Sequence, residues 1–533
     1  MAEIFSTIIG IISFIFVLGL IVLVHEAGHF FFAKRAGILC HEFAIGMGPV
    51  LWQKKKGETI YSIRAIPIGG FVSMAGEEVE SNLLTNINEV RIQVENGFVT
   101  HIYTDLDNEK YSVYPRISIV KYDLLGTKKA LADELYIEYR DDDGKTELVT
   151  VARDCMVVFE KGKTIQIAPY DRNFANKGVS ARFKTILAGP SMNFVLAIVL
   201  FFFIGLVTGF PVLDSSVVTG IKERTPISEA GLKDGDEITK IGSFDIAEWE
   251  DISTAMAFYR NQYETDLQIT YIRNGQVFNT TVTPQVLVYS SGIVSDFKVT
   301  DQVLVGKINP KTIVGKAGLL EGDEITQIKI DSVTTIVANW QDVIDVFLAN
   351  TTGKEVEITV LRDSETEIIK FEPYDQEILD AQGLPMARLQ LGVSPENEFN
   401  FGKSFVYGFT GTAGAFTFIF DTLRLLITNS RLGLGDLSGP LGILDMTTEV
   451  SKNGIISLLN WTALLSVNVG FVNLLPIPAL DGSRLAFLGV EAISKKPANR
   501  KIENIIHTVG LMMLLLLFVF ISWNDLLRVI GVK

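Results

Sequence analysis

The sequence predicts a polytopic α-helical membrane protein with four spans, a repeated α+β region outside the membrane and a small β-rich insert on the cytoplasmic side. Three observations support this fold class. Four segments are long and apolar enough to cross a bilayer as helices, basic residues collect on one side of them, and a ten-residue motif recurs 87 residues further along the chain. With 533 residues, 48% of them hydrophobic, the chain is long enough for several such units.

The four predicted spans carry almost no charge. The first three contain no acidic or basic residue and the fourth contains only His507; they are 4–24, 186–213, 453–480 and 504–524. One such run could be a buried core helix, but four of this length favour a membrane protein. A signal peptide is disfavoured at the first run, because Glu3 precedes it and no small-residue cleavage site follows.

A fifth apolar run, 404–420, is shorter, rich in Gly, Thr and Phe, and bounded by Lys403 and Asp421. Such a segment can cross a membrane or lie along its surface as an amphipathic helix. We predict the second, within a helical region at 401–452. Only then do the basic residues at 495–501 and the third metal ligand described below fall on the cytoplasmic side.

The charges give the direction of the spans. Basic residues follow the first span, precede the second and separate the last two, which marks these loops as cytoplasmic. Residues 214–400 instead hold 15 basic and 31 acidic side chains and no cysteine, whereas Cys40 and Cys155 fall on the reducing, cytoplasmic side. Two cysteines form no disulfide framework, and the absence of a concentrated basic face argues against nucleic-acid binding.

The first span runs directly into the sequence His25-Glu26-Ala27-Gly28-His29. Residues i and i+4 share one face of a helix, so both imidazoles can bind one zinc ion. Glu26 lies beside them and can take a proton from a water molecule that zinc has made acidic. The alternative, a helix end at the membrane interface without a metal, is disfavoured because ionisable groups at membrane depth are costly.

Two histidines leave the metal short of a third protein ligand. His41 is one candidate, but it lies beyond Gly37, where the helix is expected to end. Asp481 is the better candidate, because Pro476 and Pro478 break the preceding helix and let the aspartate turn inward. In the four-span topology it reaches the depth of the histidines. Taken alone, it could equally be an ordinary carboxylate at a helix end.

These motifs together resemble the site-2 protease family of intramembrane zinc metalloproteases, and most closely its bacterial, PDZ-containing enzymes of regulated intramembrane proteolysis. The run at 25–29 is similar to the family's HExxH motif, and Leu480-Asp481-Gly482 is similar to its LDG motif. The stretches 188–194 and 437–443 resemble the segments that open the second span and precede the LDG-bearing span. The likeness covers most of the chain.

The resemblance implies roles for individual residues. The implied ligands of one Zn²⁺ per chain are His25, His29 and Asp481, with Glu26 as the general base. Asn468 and Asn473 match asparagines that contact the substrate backbone in the family. An unwound substrate in lipid has amide groups that need such partners. The alternative for both asparagines is a hydrogen bond between helices.

Between the first two spans, the region 37–76 resembles the family's glycine-rich loop and membrane-associated β-hairpin. Its candidate substrate-binding residues are Gly46, Gly48, Gly69 and Gly70. A strand with an open edge can pair with an extended substrate, which a protease needs because a helical peptide hides its carbonyl carbons. The alternative is a purely structural hairpin.

The ten residues 230–239 recur as 317–326 with the shared pattern AGLxxGDEIT. This pattern resembles the signature of PDZ domains and predicts two of them in tandem on the extracytoplasmic side. PDZ domains bind peptides as an added strand. Here we favour a filter that excludes bulky substrates, because no feature of the sequence indicates a pocket for a peptide carboxylate.

Residues 77–177 are predicted to form a cytoplasmic β-rich insert, because turn signals at Asn96-Gly97 and at 141–144 separate strand-like runs. His101 is expected to be a surface residue, and the function of the insert cannot be read from the sequence. The predicted domains are therefore 1–36 (first span with HExxH), 37–76 (hairpin region), 77–177 (insert), 186–213 (second span), 214–300 and 301–395 (PDZ-like domains), 401–452 (membrane-surface helices), 453–482 (third span with LDG) and 504–524 (fourth span).

The resemblance implies a zinc metalloendopeptidase that cuts single-pass membrane proteins within or near their membrane segments. Its expected partners are the lipid bilayer and substrates first shortened by another protease, such as anti-sigma factors or signal-peptide remnants. The expected location is the bacterial plasma membrane, with the active site toward the cytoplasm. The alternative is a catalytically silent scaffold that binds exported partners through its PDZ pair, although a scaffold has no need of Glu26.

Overall fold

The computed structural model describes residues 2–77, 83–126, 135–140, 145–262, 266–298, 302–429, 431–433, 435, 437–496 and 500–529. The chain divides into two compact units. The membrane unit contains 1–204, 407–416 and 433–533, and the repeat unit contains 205–406 and 417–432. Among the described residues, four helices are long and apolar enough to cross a membrane: Thr7–Arg35, Val179–Thr208, Ile455–Leu474 and Ile502–Leu527. The four predicted spans correspond to these four candidate helices, and 404–420 is not among them.

The membrane unit begins with α1 (Ala2–Arg35), which is helical through the HEAGH run. It ends where the sequence predicts, because Gly37 adopts a φ of 69° and the N–H of Ile38 bonds back to the carbonyl of Ala33. Two long strands follow, β1 (Cys40–Lys56) and β2 (Thr59–Met74). β2 folds back on itself, so that Glu42–Ile45 pairs with Ile60–Ile63 on one side and with Gly70–Ser73 on the other.

The insert is a six-stranded sheet with its own apolar core. Its strands are β3 (Glu89–Glu95), β4 (Phe98–Tyr103), β5 (Arg116–Asp123), β6 (Tyr136–Arg140), β7 (Thr146–Val158) and β8 (Thr164–Gln166). The strand order is β4-β3-β5-β6-β7-β8, and a further parallel pairing joins β4 to β7. Asn96 and Gly97 both have positive φ, as a two-residue hairpin turn requires. The other predicted turn, 141–144, lies outside the described residues. α2 (Val179–Thr208) follows the insert.

The repeat unit contains the same arrangement twice. The elements of its first half are β9 (Phe210–Pro211), β10 (Val218–Thr219), α3 (Pro226–Glu229), β11 (Glu237–Ile241), β12 (Phe244–Asp245), α4 (Trp249–Gln262), β13 (Leu267–Arg273), β14 (Gln276–Val282), β15 (Gln285–Val288) and β16 (Ile293–Val294). Those of its second half are α5 (Ile313–Lys316), β17 (Glu324–Ile330), β18 (Val333–Ile336), α6 (Trp340–Ala349), β19 (Val356–Arg362), β20 (Glu365–Phe371), α7 (Gln376–Ala381), β21 (Ala387–Gln390), β22 (Ser394–Pro395) and β23 (Asn397–Glu398). The sheets β12-β11-β13-β14 and β18-β17-β19-β20 have the same strand order.

The aspartate of the repeated GDEI sequence has the same structural role in both repeats. The buried carboxylate of Asp236 accepts two hydrogen bonds of 2.7 Å from Arg273, whose guanidinium also donates to the carbonyl of Gly231. In the second repeat, Asp323 accepts from Arg362 at 2.7 and 2.6 Å. The aspartate of each motif therefore ties the loop after its short helix to the third strand of its sheet.

The chain continues as α8 (Phe401–Thr428), a single helix of 28 residues that extends well past the predicted run 404–420. The membrane unit then resumes with α9 (Pro440–Lys452), α10 (Ile455–Leu474), α11 (Asp481–Ser494) and α12 (Arg500–Val529). The buried carboxylate of Asp525 accepts the backbone N–H of Gly442 at 2.9 Å, which ties α12 to the first turn of α9.

Candidate metal centre

His25, Glu26 and His29 lie in the C-terminal part of α1, with the two histidines one helical turn apart. Both histidines are buried, at 8% and 7% exposure. The third predicted ligand arrives from the far end of the chain, where α10 stops at Leu474 and α11 starts at Asp481. Gly482 leaves no room for a side chain, since a Cβ there would overlap the carbonyls of Leu474 and Leu475. The LDG sequence thus makes a tight return that brings Asp481 to α1.

The three predicted ligands converge on one point. Oδ2 of Asp481 lies 3.1 Å from Nε2 of His25 and 3.3 Å from Nε2 of His29, and the two Nε2 atoms are 3.2 Å apart. In a tetrahedral site with ligand bonds of about 2.0–2.1 Å, ligand atoms are about 3.3 Å from one another. Oδ2 is buried and accepts no well-directed hydrogen bond from the described residues. The donor set and its spacing therefore fit zinc.

His41, the other candidate for third ligand, is not part of this cluster. Among the described residues, the group of side chains whose spacing suits a metal ion consists of His25, His29 and Asp481. His41 does line the same cavity. The structure therefore favours Asp481, as the four-span topology predicts.

Neighbouring groups hold the imidazoles in the orientation a metal needs. Nδ1 of His29 donates to the carbonyl of Thr185 at 2.9 Å, so that in the neutral imidazole the lone pair of Nε2 is free to bind a metal. Nδ1 of His25 lies 3.2 Å from Nδ2 of the Asn193 amide, whose buried Oδ1 has no hydrogen-bond partner in the described structure. Turning that amide by half a turn, which preserves its shape, lets Oδ1 accept the Nδ1 hydrogen and satisfies both groups.

Small residues let α1 and α2 approach closely at the site. A Cβ on Gly28 would lie 2.5 Å from the carbonyl oxygen of Ala188, and one on Gly189 would overlap the imidazole of His29. Gly70 of β2 is equally constrained, because its Cβ would lie 3.1 Å from Cγ of Glu26. Glycine at these three positions makes the packing around the metal centre possible.

A cavity of about 1170 Å³ opens at the metal centre. Of the residues predicted to bind substrate, Asn473 and Gly70 line it together with Glu26. Gly46, Gly48 and Gly69 are not among the lining residues; all three have φ between 82° and 84°, so they serve the bends of the hairpin. Asn468 is exposed on α10 and also lies outside the lining, and Asn473 donates to the carbonyl of Val469 in its own helix.

The comparison with known families decides the identity of the chain. The model of peptidase family M50 matches residues 13–517, nearly the whole sequence. The chain belongs to peptidase family M50. This is the site-2 protease family that the HExxH and LDG motifs indicate, so that prediction is confirmed.

Curated M50 relatives align over almost their full length. A zinc metalloprotease RasP of Oceanobacillus iheyensis is 32% identical over 519 residues, 97% of this chain and 99% of the relative. The regulator of sigma-W protease RasP of Bacillus subtilis (strain 168) is 31% identical over 525 residues, 97% and 98% of the two chains. A zinc metalloprotease RasP of Geobacillus kaustophilus is 33% identical over 524 residues, 98% of each. The M50 chain is therefore a multi-pass membrane protein and a zinc metalloprotease with Zn²⁺ as its cofactor.

Sequence reasoning missed the residues around the ligands. Asn193 lies in the stretch 188–194 that resembles the family, but the motif assigns no role to it. Thr185 acts through its backbone, which carries no sequence signal. The signal for Asn193 was available: it is a polar residue in the middle of an otherwise apolar span. Such residues face the interior of a helix bundle.

Proposed function

We propose that His25, His29 and Asp481 hold the catalytic zinc ion and that Glu26 is the general base of peptide-bond hydrolysis. The observation that carries this proposal is the convergence of three ligand atoms within 3.3 Å of one another, on residues from opposite ends of the chain. Zinc supplies a Lewis acid that makes water nucleophilic near neutral pH and polarises a carbonyl.

Glu26 is suited to the proton transfers. It lines the same cavity as the two histidines, and its carboxylate can take the proton of the attacking water as the new C–O bond forms. It then delivers that proton to the amide nitrogen as the C–N bond breaks. One peptide bond and one water are consumed, and a carboxyl group and an amine are produced.

The proposed substrates are single-pass membrane proteins that unwind locally and enter from the bilayer. Among the described residues, the Gly70–Ser73 segment of β2 pairs with β1 alone, along one edge, and it lines the cavity. Its other edge can therefore receive an extended chain. Asn473 can bond to the amides of that chain. A Bacillus subtilis relative is named a regulator of sigma-W protease, which supports anti-sigma factors as one class. Signal-peptide remnants are the other.

The two repeats are proposed to be PDZ-like domains on the extracytoplasmic side that exclude substrates not yet shortened by another protease. Their shared strand order supports two copies of one domain. Their placement outside is supported by the basic residues that follow the first span, precede the second and separate the last two, because such residues mark cytoplasmic loops. The active site then lies toward the cytoplasm. Because the chain belongs to a protease family, nothing supports the alternative that it is a catalytically silent scaffold.

The deciding experiment compares the purified protein with Glu26→Gln, His25→Ala, His29→Ala and Asp481→Asn on a truncated single-pass model substrate in detergent. We expect Glu26→Gln to keep its zinc and to lose at least about 100-fold in rate. The other three variants should lose zinc as well as activity. Full cleavage by Glu26→Gln, or unchanged metal content in all three ligand variants, would refute the assignment.

A further inference from the structure

The insert forms part of the catalytic cavity. The cavity that contains His25, Glu26 and Asp481 is also lined by Leu124, Leu125 and every residue of 162–168, which includes the whole of β8. At about 1170 Å³ it is larger than the pockets that hold small ligands, and it suits a stretch of polypeptide. The insert is therefore continuous with the site of the chemistry.

β8 presents an open edge. It is the last strand of its sheet and, in the described part of the chain, pairs only with β7. The backbone N–H of Ile167 donates to the backbone carbonyl of Cys155 at 2.9 Å. The backbone carbonyl of Lys163 accepts a hydrogen bond from the N–H of Phe159 at 2.7 Å. Because antiparallel strands alternate their hydrogen bonds, the backbone N–H and C=O groups of the residues in between, 164 and 166, point away from β7.

Polar contacts fix β8 to the hairpin of the membrane unit. The side chain of Gln166 reaches Glu58 at 3.5 Å, and Glu58 also accepts two hydrogen bonds from Arg172, one of them of 2.6 Å. The bonds from Arg172 lower the pKa of Glu58 to about 2, so this carboxylate stays charged at any physiological pH. On the other side of the cavity Arg484 of α11 pairs with Glu77. The open edge is thus held in place beside the site.

We propose that β8 is a docking edge for the substrate itself: the extended segment next to the scissile bond adds to the insert sheet by pairing with Thr164–Gln166. The inference rests on the proposed function and extends it, since it assigns to the insert the recognition of the chain beyond the membrane segment. Only two residues offer outward backbone groups, so the pairing is weak enough to release the product. Leu124 and Leu125 supply apolar contacts for alternate side chains.

Disulfide cross-linking tests the proposal. Thr164→Cys is combined with Glu26→Gln to trap the substrate, and single cysteines are placed at successive positions beside the scissile bond. Both native cysteines are fully buried and unreactive. Strand addition predicts cross-links at every second substrate position, because alternate side chains lie on the same face. Val113→Cys, which is 78% exposed on the insert and does not line the cavity, is the matched control and should give none.

The outcomes separate the two proposals. If the parent protein cleaves the substrate but Thr164→Cys gives no cross-links, or gives them without a period of two, the docking edge is wrong and the protease stands. If the parent protein cleaves no model substrate, both fall. As a second variant, Thr164→Pro removes one outward N–H while leaving the bonds to β7. We expect KM to rise about 3- to 10-fold with kcat unchanged; an unchanged KM would overturn the inference.

Discussion

Asn193 is buried in the middle of α2 beside the imidazole of His25. A neighbour that fixes the tautomer of a metal ligand affects metal affinity without touching the metal. We expect Asn193→Ala to weaken zinc binding about 10- to 100-fold, as measured by competition with a chelator. Asn473→Ala is the control, because its amide bonds to its own helix and it should keep its zinc. Equal zinc affinity in both variants would rule out this role for Asn193.

For individual residues, the spacing of polar side chains along the sequence is what predicts the metal site. The two histidines and Glu26 are recognisable because helical periodicity fixes their relation, and Asp481 is recognisable from the prolines before it. The contact between Asn193 and His25 joins residues 168 positions apart, and no local pattern specifies it. Of the four glycines that the resemblance implies as substrate-binding residues, only Gly70 lines the cavity.

At the scale of elements, Gly189 decides how closely α2 can approach α1. A methyl group there overlaps the imidazole of His29, so Gly189→Ala must displace a proposed zinc ligand. We expect this variant to be inserted and folded but to bind zinc at least 10-fold more weakly. Gly489→Ala on α11, where a Cβ meets nothing within 4 Å, should be neutral or slightly stabilising. Equal zinc content and affinity in both variants would show that the approach of the helices tolerates the change.

The aspartate of the first GDEI motif gives the repeat unit a dependence on pH. Burial alone would raise the pKa of Asp236, but the hydrogen bonds from Arg273 and from the backbone of Lys233 lower it overall. The folded state therefore binds this proton less readily than the unfolded state, and the stabilisation is present above about pH 4 and lost as the pH falls through the folded pKa. We expect hydrogen-exchange protection of β11–β14 to fall steeply below pH 4.

Asp236→Asn should lower the free energy of unfolding of the repeat unit by about 3 kcal/mol at neutral pH and remove much of that acid dependence. Asp331→Asn is the control, because Asp331 and Lys354 are both more than half exposed and such pairs contribute about 0–1 kcal/mol. Matching exchange profiles for the two variants would mean that the buried pair does not stabilise the repeat.

Helices and turns with a clear local sequence pattern can be predicted, whereas the pairing of strands that are distant in the sequence cannot. The four candidate spans and the hairpin turn at Asn96-Gly97 lie where the sequence predicts them. The double pairing of Glu42–Ile45 depends on β2 bending back, which one strand's alternation cannot reveal. α8 continues past Asp421, because the helix contains no proline and one charged residue does not end it; its caps lie at Asn400 and Asn429.

At the scale of the whole molecule, the proposed four-span topology places the two ends of α10 on opposite sides of the membrane. Lys452, just before α10, should be extracytoplasmic, and Lys496, after α11, cytoplasmic. In intact cells we expect a membrane-impermeant thiol reagent to label Lys452→Cys but not Lys496→Cys until the cells are permeabilised. Cys40 and Cys155 are buried and give no background. The reverse pattern would invert the topology.

The distance along the chain between the proposed zinc ligands has a consequence for synthesis. His29 and Asp481 are separated by 452 residues, so a ribosome working at about 5–20 residues per second needs roughly 20 to 90 s between them. Until then the nascent protein has two histidines and a general base but no third ligand. The newly inserted helices around it, which are themselves apolar membrane segments, are thus not exposed to an assembled protease. Catalytic competence arrives only with the last part of the polypeptide.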